Sequence, residues 1–388
     1  MTIKGKAYIV GAYEHPTRKA PDKTVAQLHY ECARGALADA GLTFDDVDGY
    51  FSAGDAPGMG GVNMVDYMNL KVRHVDSTET GGSSYLIHVA HAAEAIAAGR
   101  CNVALITLAG RPRSEGHSGA APRVFPPSVP DAPFEAPYGL VTINSYAMCA
   151  ARHMYEYGTT AEQLAWVKVA ASHHAQYNEH AMLRDVVTVE DVVNSPMIAD
   201  PLHRLDCCVV SDGGGALVVT RPEIARSLKR PLVKVIGAGE HIKGQNGGDI
   251  DLTYSAGAVS GKAAFEMAGV THADIKYASI YDSFTITVVM QLEDLGFCEK
   301  GKGGAFVADG NLISGVGKLP FNTDGGGLCN NHPMNRGGIT KVIEAVRQLR
   351  GEAHPKVQVP GCDIALAHGT GGLLGHRHAG ATLIMERE

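Results

Sequence analysis

The sequence predicts an α/β fold assembled from two halves of one β/α order. Strand-like apolar runs and helical stretches recur in the same order at a nearly constant offset, which is the mark of an internal duplication. The composition agrees: 45% hydrophobic and 19% charged residues with 47 glycines in 388 residues describe a compact, turn-rich chain held by buried surface, neither disordered nor coiled-coil.

The repeat opens with VGAYEH at 10–15, answered by IGAGEH at 236–241 at an offset of 226, each closing a short β-branched run. ALADAGLTFDDVDGY (36–50) is answered by AAFEMAGVTHADIKY (263–277): an apolar helical end, an Ala-Gly stop, an acidic loop and a strand. NVALITLAG (102–110) matches DIALAHGTGG (363–372), and GGALVVT (214–220) matches AGATLIM (379–385), all strand-like runs beside glycine. The halves are therefore placed at 1–222 and 223–388. They differ at one point, where the first carries an insertion of about 111–212 against an ordinary short connection in the second. The insertion holds a proline-rich stretch at 122–137 and a helical segment at 159–178, whose Thr160 and Gln163 read as a capping box. An excursion of this length reads as a ligand cover or as plain decoration.

Thirty-four basic against 41 acidic residues give a net charge of −7, without the basic footprint of a nucleic-acid binder. The eight cysteines lack CxxC or metal-ligand spacing, as in a reduced cytoplasmic protein. The start MTIKGKAYIVGAYEHP lacks the apolar core of a signal peptide, and no stretch approaches the ~20 apolar residues of a spanning helix. A soluble, cytoplasmic protein without membrane or nucleic-acid partners is expected.

Three segments carry candidate chemistry. GGSSYLIHVAHAAEAIAAG (81–99) sets glycines and two serines before a helix with an apolar face, and GGGLCNNHPMNRGGITKVIEAVRQLRG (325–351) repeats the pattern, with Pro333 suited to a first helical turn. Helix N-termini aimed between the sheets favour an oxyanion or carbonyl oxygen. IYDSF (280–284) puts Tyr281 at a strand C-terminal end, where ligands gather in α/β sheets. His332 in NNHP and His368 in LAHGTGG join it as candidates, each also readable as a structural group. Cys329 stands three residues before His332 and reads either as a thiol nucleophile or as a buried apolar side chain.

At these residues the chain resembles the thiolase superfamily, specifically the sterol-carrier-protein-type thiolases: Tyr-Asp-Ser-Phe stands for their His-Asp-Cys-Phe, LEDLGFC follows it, NNHP stands for Gly-His-Pro, and VRQLRG closes the last helix. The resemblance implies the thiolase fold, duplicated βαβαβαββ halves in a five-layered αβαβα core, a homodimer, and action on acyl-CoA thioesters. Thiolytic members use a cysteine at the start of the first-half helix; here Gly82 takes its place, beside Ser83. The family's second cysteine falls near Ala367 and His368, its first histidine has become Tyr281, and His332 is retained. Without a thiolate, ordinary thiolysis is disfavoured.

The chain is more similar to the thiolase-like aldolases that shorten steroid side chains, which lack the cysteine, carry Tyr-Asp-x-Phe and work with a small OB-fold partner. Their second catalytic tyrosine falls where this chain has Asn330, Asn331 and His332. The reaction this implies is retro-aldol cleavage of a 3-hydroxyacyl-CoA, a lyase activity in lipid or steroid metabolism. Tyr281 and His332 are expected on opposite sides of the scissile bond, with Tyr281 shuttling the proton through a lowered pKa. His368 would orient either one, and Gly82, Ser83 and Asn331 would form the oxyanion loop. No metal or redox cofactor is expected. Coenzyme A enters as the substrate's handle, with Arg111, Arg113 and Arg123 the candidates for its phosphates. The alternatives are an acyltransferase using Cys329 or Ser83, and a non-catalytic partner subunit.

Overall fold

The computed structural model of the chain describes residues 2–118, 130, 132–333 and 337–388. Its strands are β1 (Tyr8–Glu14), β2 (Gly49–Phe51), β3 (His74–Asp76), β4 (Val103–Gly110), β5 (Met197–Ala199), β6 (Leu202–His203), β7 (Gly213–Thr220), β8 (Val233–Lys243), β9 (Tyr277–Ile280), β10 (Ile364–Leu373) and β11 (His376–Arg387). Nine of them follow the order β3-β2-β4-β7-β1-β8-β11-β10-β9, and β5 and β6 form a separate ribbon. The join between halves is slight, with Tyr8 and Ile9 paired to Lys234 and Val233.

On either side of that join the pairing is the same. β2 runs parallel to β4, β4 antiparallel to β7, and β7 antiparallel to β1; β9 is parallel to β10, β10 antiparallel to β11, and β11 antiparallel to β8. The helices repeat too. Val25–Ala40 ends on a left-handed Gly41 and Gly257–Ala268 on a left-handed Gly269, at φ 73° and 67°. Each is followed by one 3₁₀ turn closed by its own Thr-x-x-Asp box, Thr43 with Asp46 and Thr271 with Asp274. The GLTFDD and GVTHAD of the two repeats are thus one device used twice.

The layers follow from the apolar faces. Helices Ser84–Ala97 and Gly338–Arg350 touch each other and both sheets, and their Leu86, Val89, Ile96, Ile339, Val342 and Val346 lie in one buried cluster with Leu217, Val235, Ala365 and Leu383. Each large apolar side chain removed from water there contributes roughly 1.5–3 kcal/mol. Val25–Ala40 covers the outer face of the first sheet, Gly257–Ala268 that of the second, and the result is the five-layered thiolase architecture.

In each half a buried carboxylate just past the parallel strand reaches for the central helix. Asp55 accepts from Tyr85 Oη (2.5 Å) and Ala109 N (3.0 Å); Asp282 accepts from Lys341 Nζ (2.8 Å), Gly327 N (2.8 Å) and Leu328 N (3.1 Å).

The insertion packs on the second half. Its helices Thr142–Tyr157 and Ala161–Ala175 lie against helix Thr285–Asp294 and share a core with Ile280, Phe284 and Leu366. The expected capping box is present: Thr160 Oγ1 accepts from Gln163 N (3.3 Å), and Gln163 Oε1 from Thr160 N (3.1 Å). Among the described residues no helix is long and apolar enough to cross a membrane.

Candidate active site

Tyr281 leaves the second sheet at the C-terminal end of its parallel pair, where Tyr281 N donates to the carbonyl of His368 on β10 (2.9 Å). His332 comes from the loop after the short helix Gly326–Cys329, whose Gly326 N–H is held by Asp324 and whose Gly327 and Leu328 N–H groups are held by Asp282; His332 N donates to Ser211 Oγ (2.9 Å). The two side chains meet. Tyr281 Oη lies 2.8 Å from His332 Nε2, with the rings edge to face at 85°, and Gly337 N donates to the same phenol oxygen (3.2 Å).

This corrects two expectations. Tyr281 and His332 do not flank a bond from opposite sides but form one hydrogen-bonded unit. The phenol's pKa is not lowered: burial drives it well above the usual tyrosine range, with the neighbouring Cys208 and Tyr146 adding to the rise. A neutral phenol can both donate to and accept from an imidazole nitrogen, so the pair is arranged for proton exchange between Tyr281 and His332.

Tyr281 and His332 both line a cavity of about 200 Å³. Tyr281, Ser283, Phe284 and His332 line it from the second half, and Thr370, Gly371 and Gly372 close one side with backbone. The insertion supplies Pro112, His117, Ser118, Thr142, Tyr146, Cys208 and Val210, so the excursion does cover the site. Tyr146 and Cys208 have no motif around them that marks them, since their role arises only from the insertion folding back over Phe284.

Gly82 sits behind Tyr281, and there is no room for a side chain. A Cβ at Gly82 would fall 2.5 Å from the Thr370 carbonyl oxygen and 2.5 Å from Tyr281 Cε2. The tyrosine ring thus stands where a nucleophile at this position would project. Gly338, at the start of the other central helix, is equally constrained: a Cβ there would fall 1.8 Å from the Gly82 carbonyl oxygen.

The remaining candidates are dispersed. Ser83 Oγ donates to the Thr80 carbonyl (2.9 Å) and takes no part in the cavity wall. Cys329 is buried against the insertion, where Lys168 Nζ donates to its Sγ (3.2 Å) and to the Leu328 carbonyl (2.7 Å); burial raises the thiol's pKa, which keeps it protonated. Asn331 Nδ2 donates to Glu14, turned from the cavity. His368 contributes its carbonyl, not its ring: Nδ1 pairs with Thr382 Oγ1 (2.9 Å), and burial lowers its pKa to about 3, so it stays neutral. The helix expected from Pro333 begins at Gly338, so His332 belongs to the preceding loop. Arg111 is turned inward to the Lys23 carbonyl, Arg113 is exposed beside Met182, and Arg123, like much of the proline-rich stretch, lies outside the described residues.

Residues 239–387 match the family model of the thiolase C-terminal domain-like fold. The chain is 35% identical over 389 residues to a steroid side-chain-cleaving aldolase of Thermomonospora curvata, covering 95% of this chain and 96% of that one. It is 33% identical over 376 residues to an acetyl-CoA acetyltransferase of Methanothermobacter thermautotrophicus, covering 94% and 96%. Among solved structures, an Ltp2-ChsH2(DUF35) aldolase superposes with a TM-score of 0.89 at 32% identity, over 99% of this chain and 98% of that one. With the duplicated sheets, the paired central helices and near-full-length relatives in agreement, the chain belongs to the thiolase superfamily, in the sterol-carrier-protein-type branch that includes thiolase-like aldolases.

Proposed function

We propose that this chain is an acyl-CoA lyase that cleaves the Cα–Cβ bond of a 3-hydroxyacyl-CoA by a retro-aldol reaction. The observation that carries the reading is the Tyr281–His332 hydrogen bond at the cavity wall, formed where the Gly82 position leaves no space for a thiol. The β-hydroxyl gives its proton to Tyr281 Oη as the phenol passes its own to His332 Nε2. The carbinol becomes a ketone or aldehyde, the bonding pair stays on Cα as the thioester enolate, and the proton returns through the same relay to Cα. No charge has to rest on the buried phenol, which suits its raised pKa.

Two of the relatives are named as aldolases, which supports the same direction, and one solved neighbour is titled with a DUF35 component. We extend the reading to coenzyme A as the substrate's handle, to a homodimer in the cytoplasm, and to a small OB-fold partner subunit. The test is release of ketone or aldehyde from 3-hydroxyacyl-CoA thioesters, with a candidate OB-fold partner subunit present. Tyr281→Phe, with folding verified by thermal melt, lowers turnover by about 10²–10⁴-fold. His332→Gln costs a comparable factor, and the double variant is little worse than either single one, because both act in one relay. A folded Tyr281→Phe protein with near-full turnover would sink the proposal, and a covalent acyl adduct seen by intact mass would replace it with thiolysis.

A further inference from the structure

The cavity is bounded by two walls of different kind. Thr370, Gly371 and Gly372 form one from strand backbone, and it cannot retreat: a Cβ on Gly371 would lie 1.6 Å from the Thr80 carbonyl oxygen, and one on Gly372 2.0 Å from that of Arg377. The other is made of side chains, among them Tyr146 from the insertion and Phe284 from the motif after β9, with ring centroids 4.2 Å apart and tilted by 36°. Both rings are buried, at 6% and 7% exposure. The mouth lies elsewhere, where His117 and Ser118 are exposed to solvent.

From this geometry we infer that Tyr146, backed by Phe284, is the specificity-determining residue for the size of the carbonyl fragment released. The inference rests on the retro-aldol reading. The reacting carbinol must sit at Tyr281 Oη, and the thioester with its long polar handle leaves by the solvent-exposed mouth. The substituents on C3 then fill the closed end against the aromatic pair. A dry cavity of about 150 Å³ accepts a single benzene ring. At about 200 Å³ this one takes a short branched chain or one ring. It excludes a fused polycyclic nucleus at full depth unless the aromatic wall gives way. The backbone wall is fixed, and Tyr146 is the largest side chain that the insertion adds to the lining, so a change in accepted size is expected through it.

The experiment separates binding from cleavage. Acyl-CoA analogues without the hydroxyl, carrying methyl, cyclohexyl or decalinyl at C3, are titrated calorimetrically into the full-length wild type and Tyr146→Ala, and the matching 3-hydroxyacyl-CoAs are assayed for cleavage. The wild type is expected to bind the cyclohexyl analogue at least tenfold more tightly than the decalinyl one. Tyr146→Ala is expected to erase that preference while weakening the methyl analogue several-fold. Tyr146→Leu serves if the alanine variant melts early. An unchanged size profile in the folded variant overturns the inference, as does a wild type that binds decalinyl as well as cyclohexyl. A size profile that shifts as expected without cleavage of any substrate supports the wall and refutes the retro-aldol reading instead.

Discussion

Replacing Gly82 by alanine adds one methyl group at the most crowded point of the site. The new carbon would meet the Thr370 carbonyl oxygen and Tyr281 Cε2, each at 2.5 Å, where ordinary contact begins at 3.4 Å. About 0.9 Å must therefore open on each side. Thr370 lies in β10, in register with Gly380 of β11, so its carbonyl cannot yield and the tyrosine ring takes the displacement. Overpacking of this kind costs about 1–3 kcal/mol. The functional cost is comparable: the Tyr281–His332 hydrogen bond stands at 2.8 Å, and a shift near 1 Å breaks it, with losses on the order of 10²-fold in turnover. Urea denaturation reads the first effect and ketone release at saturating substrate the second. Adding Tyr281→Ala should recover only part of the lost stability, because the clash with the Thr370 carbonyl persists. A Gly82→Ala protein with wild-type stability and turnover would show that the ring does not occupy the position described. By the same geometry Gly82→Cys yields no acyl-enzyme on mixing with acyl-CoA, read by intact mass.

Cys329→Ser should retain turnover within a few-fold, since the thiol faces Lys168 and not the cavity; loss of activity together with loss of an acyl adduct would contradict this. Lys341→Met removes the cation paired with the buried carboxylate of Asp282 and should cost about 3–5 kcal/mol in denaturant unfolding, against about 0–1 kcal/mol if the pair were solvated. His91 on the first central helix sits between Asp76 (2.7 Å) and Glu240 (3.4 Å), whose hydrogen bonds raise its pKa to about 10 despite partial burial. Its folded pKa lies above the unfolded value of about 6.5, so its contribution is complete below pH 6.5 and fades as the pH rises through about 10. Stability measured between pH 6.5 and 10 should decline less steeply in His91→Gln.

What was legible in the sequence was local or repeated. The Thr160–Gln163 cap and the two GLT/GVT turns are set by neighbours a few residues apart, and the placement of Tyr281 at a sheet end follows from one strand and its glycines. The errors came from contacts distant in sequence. Gly326–Cys329 is helical because Asp282 caps it, and the helix after Pro333 waits until Gly338, where it can pass Gly82. Strand alternation turns the His368 ring away from the expected role: Ala365 and Ala367 enter the central core, so Leu366 and His368 turn outward to Ile384 and Thr382. The pairing of Tyr281 with His332, and Tyr146 against Phe284, join segments whose approach only the tertiary fold decides.

Asp55 and Asp282 occupy equivalent stations, 227 residues apart, and each ties its strand end to its own central helix. One residue before each, the halves part company: Gly54 in the first, Tyr281 in the second. The carboxylate tether is therefore shared by both halves, and the phenol stands in only one. That division of labour means that the aspartate of the Tyr-Asp-Ser-Phe signature marks architecture and its tyrosine marks chemistry. A homologue that keeps the aspartate and loses the tyrosine should then be a sound scaffold with another trade.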